Sequence, residues 1–128
     1  MGLLPVLAAT GAFWLVGALW YGLVFGSVWL RETGIAQTPA PARMALIMGL
    51  TFAFEMLVVM TLAHLVARTD PSPRVVMMMA TGFALTVMIP AIGINYLHQR
   101  KSLTLFLVDA GHFLAGMAAA GGVLIAFR

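Results

Sequence analysis

The stretch LTLFLVDAGHFLAGMAAAGGVLIAF at residues 103–127 decides the fold of this chain. It is longer than the roughly 20 apolar residues that a helix needs to cross a bilayer core. Asp109 and His112 interrupt it three positions apart, so both side chains lie on one helix face. A carboxylate at the centre of a spanning helix costs about 2.5–3.5 kcal/mol on insertion scales. The stretch therefore predicts a transmembrane helix whose polar pair needs a partner or a function.

Three more apolar runs of spanning length precede this stretch, at residues 3–30, 44–67 and 75–97. Because lipid offers no hydrogen bonds to the backbone, runs of this length are expected to be helices. The connections between them are short, which makes consecutive helices antiparallel neighbours. The sequence predicts an all-α membrane protein with a single domain over residues 1–128, built as a four-transmembrane-helix antiparallel bundle.

The composition supports a multi-pass membrane protein. Apolar residues make up 62% of the chain and charged residues only 9%, against about 25% charged residues in soluble domains. The absence of cysteine excludes disulfides and thiol catalysis. The seven basic residues are spread over the connections, as membrane-flanking anchors are, and form no nucleic-acid patch. The even spread of the basic residues over the connections leaves the orientation in the membrane open.

Small residues recur at four-residue spacing on the first and fourth predicted helices. Such spacing lets helices approach closely in lipid. These residues are predicted to pack helices together and to offer surfaces for a homo-oligomer: Ala18, Gly22, Gly26, Gly111, Ala115 and Gly122.

Polar residues of all four helices fall at similar depths. Glu55 lies near the middle of the second run, where Thr51 one turn earlier is an expected hydrogen-bond partner. His64 is nine residues from Glu55, half a turn out of phase, so the two cannot share a site within one helix. Depth and helical phase instead predict one polar pocket, formed by Tyr21, Glu55, Asn95, Asp109 and His112. Pro90 is expected to kink the third helix.

Three motifs carry a family resemblance: GALWYGLVFGSVW at 17–29, INYL at 94–97 and LFLVDAG at 105–111. In order and spacing the chain resembles the small bacterial membrane proteins of domain-of-unknown-function family 1761. The resemblance implies a four-helix membrane protein without an assigned activity, and from it we expect a bacterial inner membrane location. It also implies that Asn can stand at position 109 and Tyr at position 112, which favours hydrogen bonding over obligatory charge there.

Several functions are compatible with these residues. An oligomeric transporter or channel handling protons, cations or a small solute is favoured, since ionisable residues inside a membrane are functional by default. A structural or accessory protein, whose polar groups only specify helix packing, is the main alternative. An intramembrane enzyme acting on lipid through Asp109, His112 and Tyr21 is a lesser one, and the chain is not expected to be an enzyme.

A metal site is also a lesser alternative. Metal binding needs three or four ligands, and Asp109 and His112 supply two. Met56, Met60 and His64 stack at four-residue spacing and form the other conceivable site. We expect neither a metal nor a cofactor, and we expect the lipid bilayer and further copies of the chain as partners.

Overall fold

The computed structural model describes residues 2–35 and 38–128, so Met1, Ala36 and Gln37 of the predicted 1–128 domain lie outside the described residues. Within these ranges the structure is helical and contains no strand, which confirms the all-α prediction. The helices are α1 (Leu3–Leu19), α2 (Gly26–Thr33), α3 (Pro41–Thr69), α4 (Pro73–Phe83), α5 (Ile89–His98) and α6 (Leu103–Ala126).

Two wider turns of π-helix join successive helices. One covers Trp20–Val24 after α1, and the other covers Ala84–Met88 between α4 and α5. With these turns included, four helices in the described ranges are long and apolar enough to cross a membrane. We call them the first to fourth spans: Leu3–Val24, Pro41–Thr69, Pro73–His98 and Leu103–Ala126. By length and composition they fit a multi-pass membrane protein.

The first predicted helix is not continuous over residues 3–30. Phe25 leaves helical geometry, with φ −118° and ψ 13°, before α2 begins at Gly26. At Gly26 a Cβ atom would lie 2.5 Å from the Tyr21 carbonyl oxygen. Only glycine therefore fits next to this π turn without moving the backbone.

The helix ends follow local sequence signals. The Ser72 and Ser102 hydroxyls accept hydrogen bonds from the Val75 and Leu105 N–H groups at the starts of α4 and α6, so both serines are N-caps. Gly34, with φ 72°, ends α2 in the left-handed conformation that favours glycine.

The fourth span is the most enclosed part of the structure. Of its most apolar window, 44% is buried, against 22% or less for the other three spans. It packs against α1 and α4, and α1 also packs against α3. Two glycines of α6 allow close contact: a Cβ at Gly116 would lie 2.5 Å from the Phe13 ring, and one at Gly121 2.8 Å from the Ala80 Cβ. Polar groups on α6 are thereby brought within reach of the other spans.

The small residues predicted to pack the first and fourth helices have different surroundings in the structure. Gly111 packs against Trp20, whose Cζ2 would lie 2.8 Å from an added Cβ. At Gly22 and Gly122 no heavy atom from elsewhere in the described chain lies within 4 Å of that position. Ala18 and Ala115 are half-buried. The use of Gly22 and Gly122 in packing between copies stays a prediction.

Candidate functional site

Asp109 is held by two tyrosines from two different spans. The Tyr21 hydroxyl donates to Oδ1 of Asp109, and the Tyr96 hydroxyl donates to Oδ2. The aspartate is only 6% exposed. Each carboxylate oxygen therefore has a donor, and the contacts join the first, third and fourth spans.

The surroundings of Tyr21 fix its position. The indole N–H of the preceding residue, Trp20, donates to the Val108 carbonyl at 2.9 Å, which ties the first span to α6 beside Asp109. The Tyr21 ring packs edge-on against His112, with ring centroids 5.0 Å apart, and against Trp29 at 6.1 Å. Tyr21 thus contacts both members of the polar pair that α6 presents.

Tyr96 occupies the position that the sequence assigned to Asn95. Asn95 is exposed, and the structure does not bring it into the cluster. The reason is the π turn at Ala84–Met88, in which the Ile89 N–H donates to the Ala84 carbonyl five residues back. One extra residue in a turn rotates everything after it by about 100°. The place in the pocket that helical phase predicted for Asn95 is therefore taken by Tyr96.

A signal for this shift was present in the sequence. Pro90 has no N–H and its ring crowds the preceding turn, so the helix must rearrange just before it. The sequence predicted a kink there, whereas the structure widens the turn at Ala84–Met88.

Glu55 and His112 face one another without a hydrogen bond. Oε2 of Glu55 lies 4.0 Å from Nε2 of His112, and the two residues are 6% and 7% exposed. Oε1 of Glu55 and Nε2 of His112 are both buried and have no hydrogen-bond partner. Buried polar atoms are normally paired, so an unpartnered atom on each of two neighbouring side chains calls for an explanation.

His112 is tightly enclosed. A Cβ at Gly17 would lie 2.8 Å from Nε2 of His112, so glycine makes room for the imidazole against α1. The rings of Phe13 and Phe113 lie 5.7 Å and 5.1 Å from the imidazole centroid. The imidazole is therefore held in a narrow pocket beside Glu55.

Two expectations about Glu55 have different outcomes. The Thr51 hydroxyl donates to the carbonyl of Ile47 on its own helix, at 2.7 Å, and so does not serve Glu55. That prediction was wrong because a threonine hydroxyl in a helix reaches the carbonyl one turn back. His64 is exposed whereas Glu55 is buried, in agreement with their predicted opposite faces.

The cluster draws one or more residues from each span. Tyr21, Glu55 and Tyr96 come from the first three spans, and Asp109 and His112 from the fourth. Within residues 2–35 and 38–128, no three His, Cys, Asp or Glu side chains converge in a way that could hold a metal ion. The groups present are suited to accept, donate and share protons.

The comparison with protein families concerns almost the whole chain. The model of the family described as "Protein of unknown function (DUF1761)" matches residues 4–125. The chain belongs to this family. All five residues of the cluster lie inside the DUF1761 match. No curated protein and no solved structure matches the chain. Membership in DUF1761 thus confirms the resemblance noted in the sequence and brings no activity with it.

Proposed function

We propose that this protein is a multi-pass membrane protein that binds a proton between Glu55 and His112 and passes it through the bilayer. The observation that supports this is the pair itself: a carboxylate and an imidazole, both buried, 4.0 Å apart and each with an unpartnered atom. Ionisable residues inside a membrane commonly mark ion pathways and proton relays. Glu55 lies at the midpoint of Pro41–Thr69, fourteen residues from each end (55 − 41 and 69 − 55).

The space at the pair favours a proton over a larger cation. Hard cations take about six or more oxygen ligands, or keep several waters. Here Gly17 and the aromatic rings of Phe13 and Phe113 close around the imidazole. A carboxyl and an imidazole that share one proton need only approach by about 1 Å to reach hydrogen-bond distance. Since the imidazole is closely enclosed, the proposal assigns that movement to a small rotation of the Glu55 side chain.

A path toward the pair runs along α6. Asp109 lies six residues into α6 and His112 nine, which at about 1.5 Å per residue places them roughly 9 and 14 Å from its start. The Tyr21 and Tyr96 hydroxyls meet at Asp109, between that end of the span and His112. The path therefore leads from the nearer membrane boundary, past Asp109 and its two tyrosines, to His112 and then to Glu55 in the middle of the bilayer.

The proposal includes an antiparallel arrangement of the four spans in a bacterial inner membrane. Its support is a pair of contacts at opposite ends of the spans. The Ser102 hydroxyl donates to Glu32 at 2.7 Å, and the Arg128 guanidinium meets Asp70 at 2.5 Å. A single bundle of four spans has little room to enclose a complete proton pathway, so the proposal also includes a homo-oligomer. The open positions at Gly22 and Gly122 are surfaces where copies can approach.

A structural role is the second candidate, and one observation favours it. Both oxygens of Asp109 already have donors, and these contacts tie three spans together. A carboxylate whose two oxygens both accept from tyrosines of other spans specifies helix packing. We therefore assign packing to Asp109 and proton binding to Glu55 with His112.

The test is proton flux in proteoliposomes that carry a pH-sensitive dye inside, under an imposed pH gradient with potassium and valinomycin. Wild-type protein is expected to conduct protons, and Glu55→Gln is expected to lose the flux while remaining folded. Glu32→Gln is the matched control, because it makes the same chemical change at the surface and should conduct as wild type does. Absence of flux in wild type, or full flux in Glu55→Gln, would contradict the proposal.

A further inference from the structure

A groove lies between the end of the first span, α2 and α6, beside the contact of Trp20 with Val108. Its volume is about 430 Å³, and its walls include Trp20, Phe25, Leu107 and, at one end, Arg31 and Thr104. Trp20 and Phe25 pack with ring centroids 4.8 Å apart. The Trp20 indole is fixed by its bond to the Val108 carbonyl, so this wall is preformed.

The groove has an apolar part and a charged end, at different depths. Thr104 stands in the first turn of α6, at the end of the fourth span, and Leu107 and Val108 follow one turn deeper. Arg31 lies in the last turn of α2. The groove therefore runs from the membrane boundary inward, with its basic group at the boundary.

The charge of Arg31 is poorly neutralised within the chain. Its side chain is 68% exposed, and its contact with Glu32 is long, at 3.4 Å. The same glutamate is held by Ser102 at 2.7 Å, through its other oxygen. Arg100 and Lys101, both exposed, precede Ser102 and add positive charge at this end.

We infer that this groove binds an acidic phospholipid. The phosphate would pair with the Arg31 guanidinium, which offers several donors in a planar fork. The exposed Thr104 hydroxyl can donate to the same phosphate, and one acyl chain would lie along Trp20, Phe25 and Leu107. Basic pockets between membrane helices at the membrane boundary are known to bind anionic headgroups. This inference is independent of proton binding at Glu55.

The test is native mass spectrometry of the full chain with phosphatidylglycerol and with phosphatidylcholine of the same acyl chains. Wild type is expected to bind phosphatidylglycerol about fivefold more tightly, as one basic group near an anionic surface supplies. Arg31→Gln is expected to lose that preference. Arg43→Gln removes an exposed charge outside the groove and is expected to keep it.

A second readout locates the lipid. In Trp14→Phe/Trp29→Phe, the remaining tryptophan is Trp20, and brominated phosphatidylglycerol should quench its fluorescence more than brominated phosphatidylcholine does. Equal binding of the two lipids, an unchanged preference in Arg31→Gln, or an equal loss in Arg43→Gln would overturn the inference. So would a dimer that excludes lipid from Trp20, because a second copy would then occupy the groove.

Discussion

Tyr96 donates a hydrogen bond to Oδ2 of Asp109. It reaches the carboxylate because the π turn at Ala84–Met88 shifts the helical phase of α5 by one residue. Removing the donor with Tyr96→Phe should lower the free energy of unfolding by about 0.6 to 1.7 kcal/mol, which are the mean and the maximum measured for hydrogen bonds between membrane helices. Unfolding in mixed micelles by increasing SDS measures this change. The control is Asn95→Ala at the exposed neighbour, which should change stability little. A larger loss in Asn95→Ala than in Tyr96→Phe would contradict the placement.

Substitutions of Asp109 should separate hydrogen bonding from charge. An asparagine at this position keeps one acceptor and gains donors, so both tyrosines can still find partners. Asp109→Asn is therefore expected to stay folded with nearly unchanged stability. Asp109→Leu leaves two tyrosine hydroxyls without a partner, at about 1–3 kcal/mol for each buried group. The same SDS unfolding assay compares them, and equal stability of the two variants would refute the tyrosine contacts.

How much of this cluster could be predicted from the sequence depends on helical phase. Tyr21, Asp109 and His112 lie on spans other than the third, and the structure brings these three residues together, as depth and phase predicted. Asn95 lies beyond that turn, and the inserted residue moved Tyr96 into its place. The existence of four apolar helices followed from run length alone, because the bilayer sets it.

Other features depend on contacts that no pattern in one sequence encodes. The approach of His112 to Gly17 requires two spans to pack at one height. The sequence also did not predict the break at Phe25 within the first helix, because GLVFGSVW at 22–29 has the pattern of one apolar run. Thr51 is a different case: the predicted bond to Glu55 was wrong because the Ile47 carbonyl, one turn back on the same helix, is the acceptor.

Gly17 should be intolerant of even a methyl group. In Gly17→Ala the Cβ would lie 2.8 Å from Nε2 of His112, so the imidazole must move or α1 must shift. Overpacking of this kind costs about 1–3 kcal/mol, and unfolding measurements should show a loss in that range. At Gly49, inside α3, an added Cβ meets no heavy atom within 4 Å. Gly49→Ala should be neutral or mildly stabilising, and equal losses in both variants would contradict the close contact.

The pKa of the Glu32 carboxyl, which lies outside the spans, should depend on Ser102. The Ser102 hydroxyl donates to Glu32 and, with a smaller contribution from Arg31, holds the pKa of that carboxyl below its usual range. The contact stabilises the folded state above the unfolded glutamate pKa, and this is lost as the pH falls through the lower folded pKa. Ser102→Ala should raise the Glu32 pKa, as followed by ¹³C NMR of the carboxyl. An unchanged titration would show that the hydrogen bond is absent.

Infrared spectroscopy of the protein in lipid tests directly whether Glu55 and His112 share a proton, as we propose. The chain has four acidic residues, so each carboxyl can be removed in turn by Glu→Gln or Asp→Asn. We predict a C=O band of a protonated carboxyl that grows as the pH falls and shifts in D₂O. It should vanish in Glu55→Gln, change in His112→Asn and persist in Glu32→Gln. A band that survives in Glu55→Gln, or that is insensitive to His112, would contradict a proton held between these two residues.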